Sequence, residues 1–157
     1  MRIFKFIAFA FTLIGCAQVK TQSVTELFEM NPKTIELLTE NQIVIIDNIS
    51  SIQLYAIKKQ LIQGTKDEYS NKNIFVRTLN ESEKVELLSL IINDDNYYWD
   101  SYEKLNFNPT KQIIIKDTES QFMILYSEDT QQIGFIDLQG QKVLKIGPEL
   151  NKYFQKI

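Results

Sequence analysis

The chain contains no histidine and a single cysteine, Cys16. The first absence removes the side chain that most often moves protons near neutral pH, and with it every Ser-His-Asp or Cys-His constellation. The two together exclude intramolecular disulfides and the ligand sets of the usual zinc sites. Glycine is scarce at five residues, and none opens a phosphate-cradling loop, since Gly64-Thr65-Lys66 lacks the upstream glycine. Long apolar runs are missing too. Residues 6–14, interrupted only by Thr12, would rise about 14 Å as a helix against a hydrocarbon layer of about 30 Å. Positive charge is in deficit, with 17 Lys and Arg against 20 Asp and Glu and a formal charge of −3. That balance gives no electrostatic footprint for nucleic acid.

What is present suits one globular domain: 157 residues, of which 44% are apolar. Arg2 and Lys5 precede the short apolar run, which is the layout of a secretory leader. It ends in Leu13-Ile14-Gly15-Cys16, which resembles the lipobox of bacterial lipoproteins. The resemblance implies cleavage between Gly15 and Cys16, a diacylglycerol on the Cys16 thiol and further acylation, such as palmitate, at the new amino terminus. Two or three acyl chains, at about 0.8 kcal/mol per buried methylene, form a stable anchor. The expected organisation is a removed signal peptide at 1–15, a lipidated cysteine and short tether at 16–23, and a single domain at 24–157. Ala17 stands where some Gram-negative lipoproteins carry an inner-membrane aspartate, so the resemblance favours the outer membrane of the cell envelope.

Within the domain, Asn31-Pro32 marks a helix start, followed by Ile35, Leu37 and Leu38, and predicts a helix over 32–40. The β-branched run 43–46 predicts a strand, and the alternation Ile52, Leu54, Ala56 another. A polar stretch at 63–72 reads as a mobile loop leading to a third strand at 74–79. Asn80 with Glu83 is a capping-box signature for a helix over 81–93, with Val85, Leu87, Leu88, Ile91 and Ile92 on its apolar side. An irregular aromatic connection fills 94–110. The β runs 113–115, 122–126 and 133–136 are joined by turns too short for crossover helices and read as an antiparallel meander. A turn around Gly140 leads to Val143 and Leu144, and Gly147-Pro148 opens a last helix. The class is α+β: an antiparallel sheet of about six short strands, with two or three helices mainly on one face. From Ile52 to Phe154 this order, with Phe107-Asn108-Pro109 in the connection, loosely resembles small bacterial lipoproteins, a group that carries no activity to transfer.

Few residues suggest chemistry. Carboxylates alone can run glycoside hydrolysis, and Glu81, Glu83, Asp94, Asp95, Asp100, Glu103, Glu119 and Glu128 are available, but a small α+β domain has little room for a polysaccharide cleft. Asn93-Asp94-Asp95-Asn96 lacks the glycine and distal glutamate of a calcium loop. It reads as a solvated helix end whose charges oppose the helix dipole, and that opposition alone keeps a weak cation site in view. Neither a metal nor a cofactor is expected. The densest aromatic segment, Tyr97, Tyr98, Trp99, Asp100 and Tyr102, is the candidate binding platform, with packing into the core as the alternative. The leading expectation is a non-enzymatic, membrane-anchored protein-interaction module whose partner is an envelope protein. The others are a glycan or small-ligand binder using residues 97–102, and a carboxylate-based hydrolase.

Overall fold

The computed structural model describes residues 31–100, 107–137 and 140–157. The leader, Cys16, the tether, Tyr102 and Glu103 lie outside the described residues. The fold is α+β, built on one antiparallel sheet of seven strands in the order β2-β1-β4-β5-β6-β7-β3. Its elements run α1 (Pro32–Leu37), α2 (Glu40–Asp47), β1 (Ser51–Leu61), β2 (Tyr69–Thr78), α3 (Glu81–Ile91), a 3-10 turn (Asp94–Asn96), β3 (Tyr97–Tyr98), β4 (Lys111–Lys116), β5 (Gln121–Ser127), β6 (Gln132–Asp137), β7 (Gly140–Ile146) and α4 (Pro148–Lys156). The meander, the capped helix and the last helix stand where the sequence places them. The extra strand is the two-residue β3, inside the aromatic connection.

The expected strand at 43–46 is instead the body of α2. Leu38 and Thr39 turn extended and end α1, and a capping box then opens the new helix: the Thr39 side chain accepts from the Gln42 amide at 3.3 Å, while the Gln42 side chain accepts from the Thr39 amide at 3.1 Å. Burial follows the helical period. Gln42, Ile45 and Ile46 are inside and Val44 is exposed, whereas a strand would set Val44 and Ile46 on one face. A buried helical face and a cap thus overrule the strand preference of β-branched side chains.

One sheet face carries Ile52, Leu54, Ile113, Ile115, Phe122, Ile124, Tyr126, Ile133 and Phe135, all buried. Helix α2 lies over β4 and β5 on this face. Helix α4 buries Leu150, Tyr153 and Phe154, and its Phe154 ring stacks on Tyr126 at 4.7 Å. The Tyr126 hydroxyl donates to Asn151 Oδ1 at 2.8 Å, and burial pushes its pKa up to about 12. On the opposite face the Phe107 ring lies over Gly134, where a Cβ would meet it at 3.1 Å, so the bare glycine is what admits the ring.

Of the expected mobile loop at 63–72, residues 69–72 are strand and only 63–68 form the turn. β1 and β2 form one long hairpin, from Gln53 opposite Thr78 to Leu61 opposite Tyr69. From residue 58 to residue 73 every residue is exposed except Thr65 in the turn, which is partly sheltered. The reason is a mismatch in length: β4 pairs with β1 only from Ser51 to Ala56, with the Ile57 amide donating to the Thr110 carbonyl just beyond, so among the described residues the rest of β1 has β2 as its only strand neighbour and the hairpin projects beyond the sheet. Its base is clamped by Arg77, which donates to both Glu83 oxygens at 2.7 and 2.8 Å. Helix α3 ends two residues earlier than its pattern suggests and leaves Val85 in solvent, with Leu87 and Ile91 buried.

Two outcomes test this account. Thr39→Ala should cost about 1 kcal/mol in urea denaturation, as for a lost helix cap; no change would return 39–47 to strand or loop. The Arg77 guanidinium, followed by the Asn80 amide, holds the Glu83 carboxyl below its ordinary value of 4.5. The pair's contribution is therefore complete above that value and is lost as pH falls through the lower folded one. Glu83→Gln should flatten that part of the acid limb, read from melting temperatures at several pH values.

Candidate functional site

The aromatic segment does not form a single exposed platform. Strand alternation in β3 sends Tyr97 inward and Tyr98 outward. Tyr97 is buried, its hydroxyl donates to the Ile91 carbonyl, and its ring lies 5.2 Å from Trp99 and 6.4 Å from Phe135. Burial, with Asp94 nearby, raises its pKa. Trp99 is half-buried against the core and donates its indole N–H to the Asp94 carbonyl at 2.9 Å. Tyr98 is 49% exposed, and Asp100 is exposed. Lys33, Tyr97, Tyr98, Trp99 and Asp100 line a broad depression of about 470 Å³. The ammonium groups of Lys33 and Lys145 sit 5.7 Å from the Trp99 ring centre and 6.0 Å from that of Tyr98.

The acidic residues are mostly engaged or dispersed. Glu81 pairs with Lys84 at 2.7 Å, and Glu83 is held by Arg77. Asp94 caps α1: its Oδ1 accepts from the Thr34 amide at 2.8 Å and the Thr34 hydroxyl at 2.6 Å, and Oδ2 accepts from the Lys33 amide at 3.1 Å. A carboxylate that opposes the dipole of α3 when viewed along the sequence thus sits at the N-terminus of another helix, where its charge is favourable. Asp95, Glu119 and Glu128 are exposed. Among the described residues no group of three His, Cys, Asp or Glu is placed to hold a metal ion.

The two sheet edges differ in a way the sequence pattern does not reveal. At one edge β7 meets the two-residue β3, and α1 lies beside it. There Lys142 Nζ donates to the carbonyls of Glu36 and Leu37 at 3.1 and 2.7 Å, completing the end of the helix and tying it to β7. The other edge is β2, ten residues long, with no strand on its outer side among the described residues. It exposes Tyr69 (59%), Phe75 (53%) and Val76 (50%). A register shift between Leu54 and Tyr55 leaves Val76 without a partner in the ladder, so the regular part of the edge is 69–75. Gly64, at φ +90°, lets the connecting turn close, and the Ile62 amide donates to the Glu68 carbonyl at 2.8 Å. The available sequence signal was the pairing of apolar residues about that glycine, Leu61 and Ile62 before it and Tyr69 after it.

No family model, curated protein or solved structure matches the chain.

Truncation separates the inward and outward rings. Trp99→Ala should cost about 3 kcal/mol of stability, near the lower end for a large buried aromatic because the ring is only partly enclosed. Tyr98→Ala should stay within about 0.5 kcal/mol. Urea melts showing equal, small effects for both would make the segment a surface feature. Asp94→Ala should cost about 1 to 2 kcal/mol through the cap of α1, and a neutral result would mean that water replaces the carboxylate.

Proposed function

We propose that this protein is a lipid-anchored lipoprotein of the bacterial cell envelope, acting as a non-enzymatic protein-interaction module whose docking surface is the outer edge of β2. The anchor rests on the lipobox-like Leu13-Ile14-Gly15-Cys16 behind a short basic and apolar leader. Among the described residues no helix is long and apolar enough to cross a membrane, so the acyl chains at Cys16 carry the attachment in this reading. Ala17 favours the outer membrane in a Gram-negative cell.

The observation that carries the interaction is the β2 edge itself. Alternate residues of an edge strand point N–H and C=O groups outward, and an incoming extended segment satisfies them while its side chains meet those of the edge. Phe75 and Val76 add apolar area at one end, and Phe75 is already ordered by an edge-to-face contact with Tyr55 at 5.5 Å. A second reading, a glycan or small-ligand binder, is favoured by the depression floored by Trp99. There Lys33 and Lys145 compete with a sugar for the ring faces. A carboxylate-based hydrolase has less support, because Glu81, Glu83 and Asp94 are engaged in structural contacts.

Both halves of the reading are testable in cells. Metabolic labelling with an acyl-chain probe should tag the wild type and not Cys16→Ala; equal labelling removes the anchor. A photo-crosslinking residue at Phe75 of the anchored protein should give a discrete adduct in intact envelopes, and the same probe at exposed Val85 of α3 should not. Equal adducts from both positions, or none from either, would remove β2 as the docking edge.

A further inference from the structure

The hairpin opposes two like charges. Lys58 of β1 and Lys72 of β2 are direct cross-strand partners, both exposed, and no ion pair reaches either among the described residues. Like charges directly opposite one another weaken an antiparallel ladder. The segment 57–73 carries Lys58, Lys59, Lys66 and Lys72 against Asp67 and Glu68, in a chain whose overall charge is −3. The free edge is thus locally basic on an acidic protein.

Resting on the reading of β2 as the docking edge, we infer that its occupant is an extended acidic and apolar segment of a partner protein, added as an eighth strand along 69–75. Side chains two residues apart share a face, which fixes the pattern the edge would accept. Lys72 and Ile74 point to the face that carries the helices, with Lys58 beside Lys72 and Ala56 beside Ile74. A carboxylate of the incoming strand next to Lys72 relieves the Lys58–Lys72 repulsion, and an aliphatic side chain follows two residues on. The other face offers Tyr69, Asn71, Asn73 and Phe75, so polar residues fit its middle and apolar ones its ends.

A second copy of the chain fits less well. Two β2 strands pairing antiparallel about a two-fold axis normal to the sheet would gather both copies' Lys58 and Lys72 on the same face with no acid between them. Anionic lipid headgroups would also take the lysines, but they leave the outward amides of β2 to water.

The test uses the lipidated full-length protein in neutral detergent micelles with two blocked peptides, one in which a glutamate is followed two residues on by a valine on the same face (Glu-Val), the other with lysine in place of that glutamate (Lys-Val). The Glu-Val peptide should bind in calorimetry and slow hydrogen exchange of β2 amides, with the Lys-Val peptide weaker by about tenfold or more. Lys58→Glu with Lys72→Glu should reverse that preference at an unchanged melting temperature. If the reversed pair does not fold, Lys72→Gln should weaken Glu-Val binding alone. Equal protection of β2 by both peptides would overturn the acidic occupant and leave the edge reading standing. No protection by either would overturn both. Concentration-dependent dimerisation that protects β2 without peptide, or binding to phosphatidylglycerol vesicles that depends on Lys58 and Lys72 when neither peptide binds, would assign the edge to a second copy or to lipid and overturn the inference.

Discussion

Asp94 holds the molecule together from outside its helices. Its carboxylate satisfies the amides of Lys33 and Thr34, its own amide donates to Asn31 Oδ1 at 3.2 Å, and its carbonyl accepts the Trp99 indole. A helix as short as α1, six residues, does not repay its own nucleation in water. Asn31, at its cap, makes no side-chain bond to the helix it precedes, and the missing cap is supplied from a turn sixty residues away in sequence. With α1 fixed at one end, its other end presents the carbonyls that take Lys142 of β7. One aspartate thus ties α1 to the turn after α3 and, through α1, to Lys142 of β7.

A second constraint comes from lengths. Helix α2 covers the sheet where β4 and β5 lie, and β4, β5 and β6 have six, seven and six residues. β1 and β2 have eleven and ten, so their outer halves outrun both the sheet and the helices. The core cannot follow them: burial stops after Leu54 on β1 and does not occur within β2. What anchors the projecting hairpin is its base, where Ile52, Leu54 and Leu79 are buried, the Leu79 amide donates to the Ile52 carbonyl at 2.9 Å and Arg77 is clamped to the start of α3. A local opening at the tip therefore costs few apolar contacts, while the base remains part of the core.

These features differ in how far the sequence displays them. The meander and α3 follow from alternation, turn residues and a capping box, all of which act over a few residues, and they are legible. The helix at 40–47 is not, because a run of β-branched residues satisfies the strand pattern as well, and the decision falls to Thr39, Gln42 and the packing of Ile45 and Ile46. The outer hairpin is hidden for the opposite reason: a strand with no buried face shows no apolar alternation, so 69–72 reads as loop. In the aromatic segment the residues are legible and their division is not. Which of Tyr97 and Tyr98 points inward depends on the register of β3 against Ile146 and Lys145 of β7. Asp94 is the extreme case, since nothing near it in sequence names its partners.

An open edge with apolar side chains is a hazard as well as an opportunity, because it offers any extended chain a template. Three features limit that hazard here: the unpaired Val76 interrupts the ladder, the facing lysines repel a second copy, and the polar Asn71 and Asn73 separate Tyr69 from Phe75. Asn73 is further restrained, since its side chain donates to Gln112 of β4 across β1. The interruption and the asparagines limit any pairing, while the lysines penalise a basic strand more than an acidic one. The lysines that oppose self-association are the same ones that a carboxylate would neutralise, and the interruption at Val76 confines pairing to a short, defined register. Charge and register thus act in one direction: they make the edge a poor template for copies of this chain and a selective one for the proposed acidic partner.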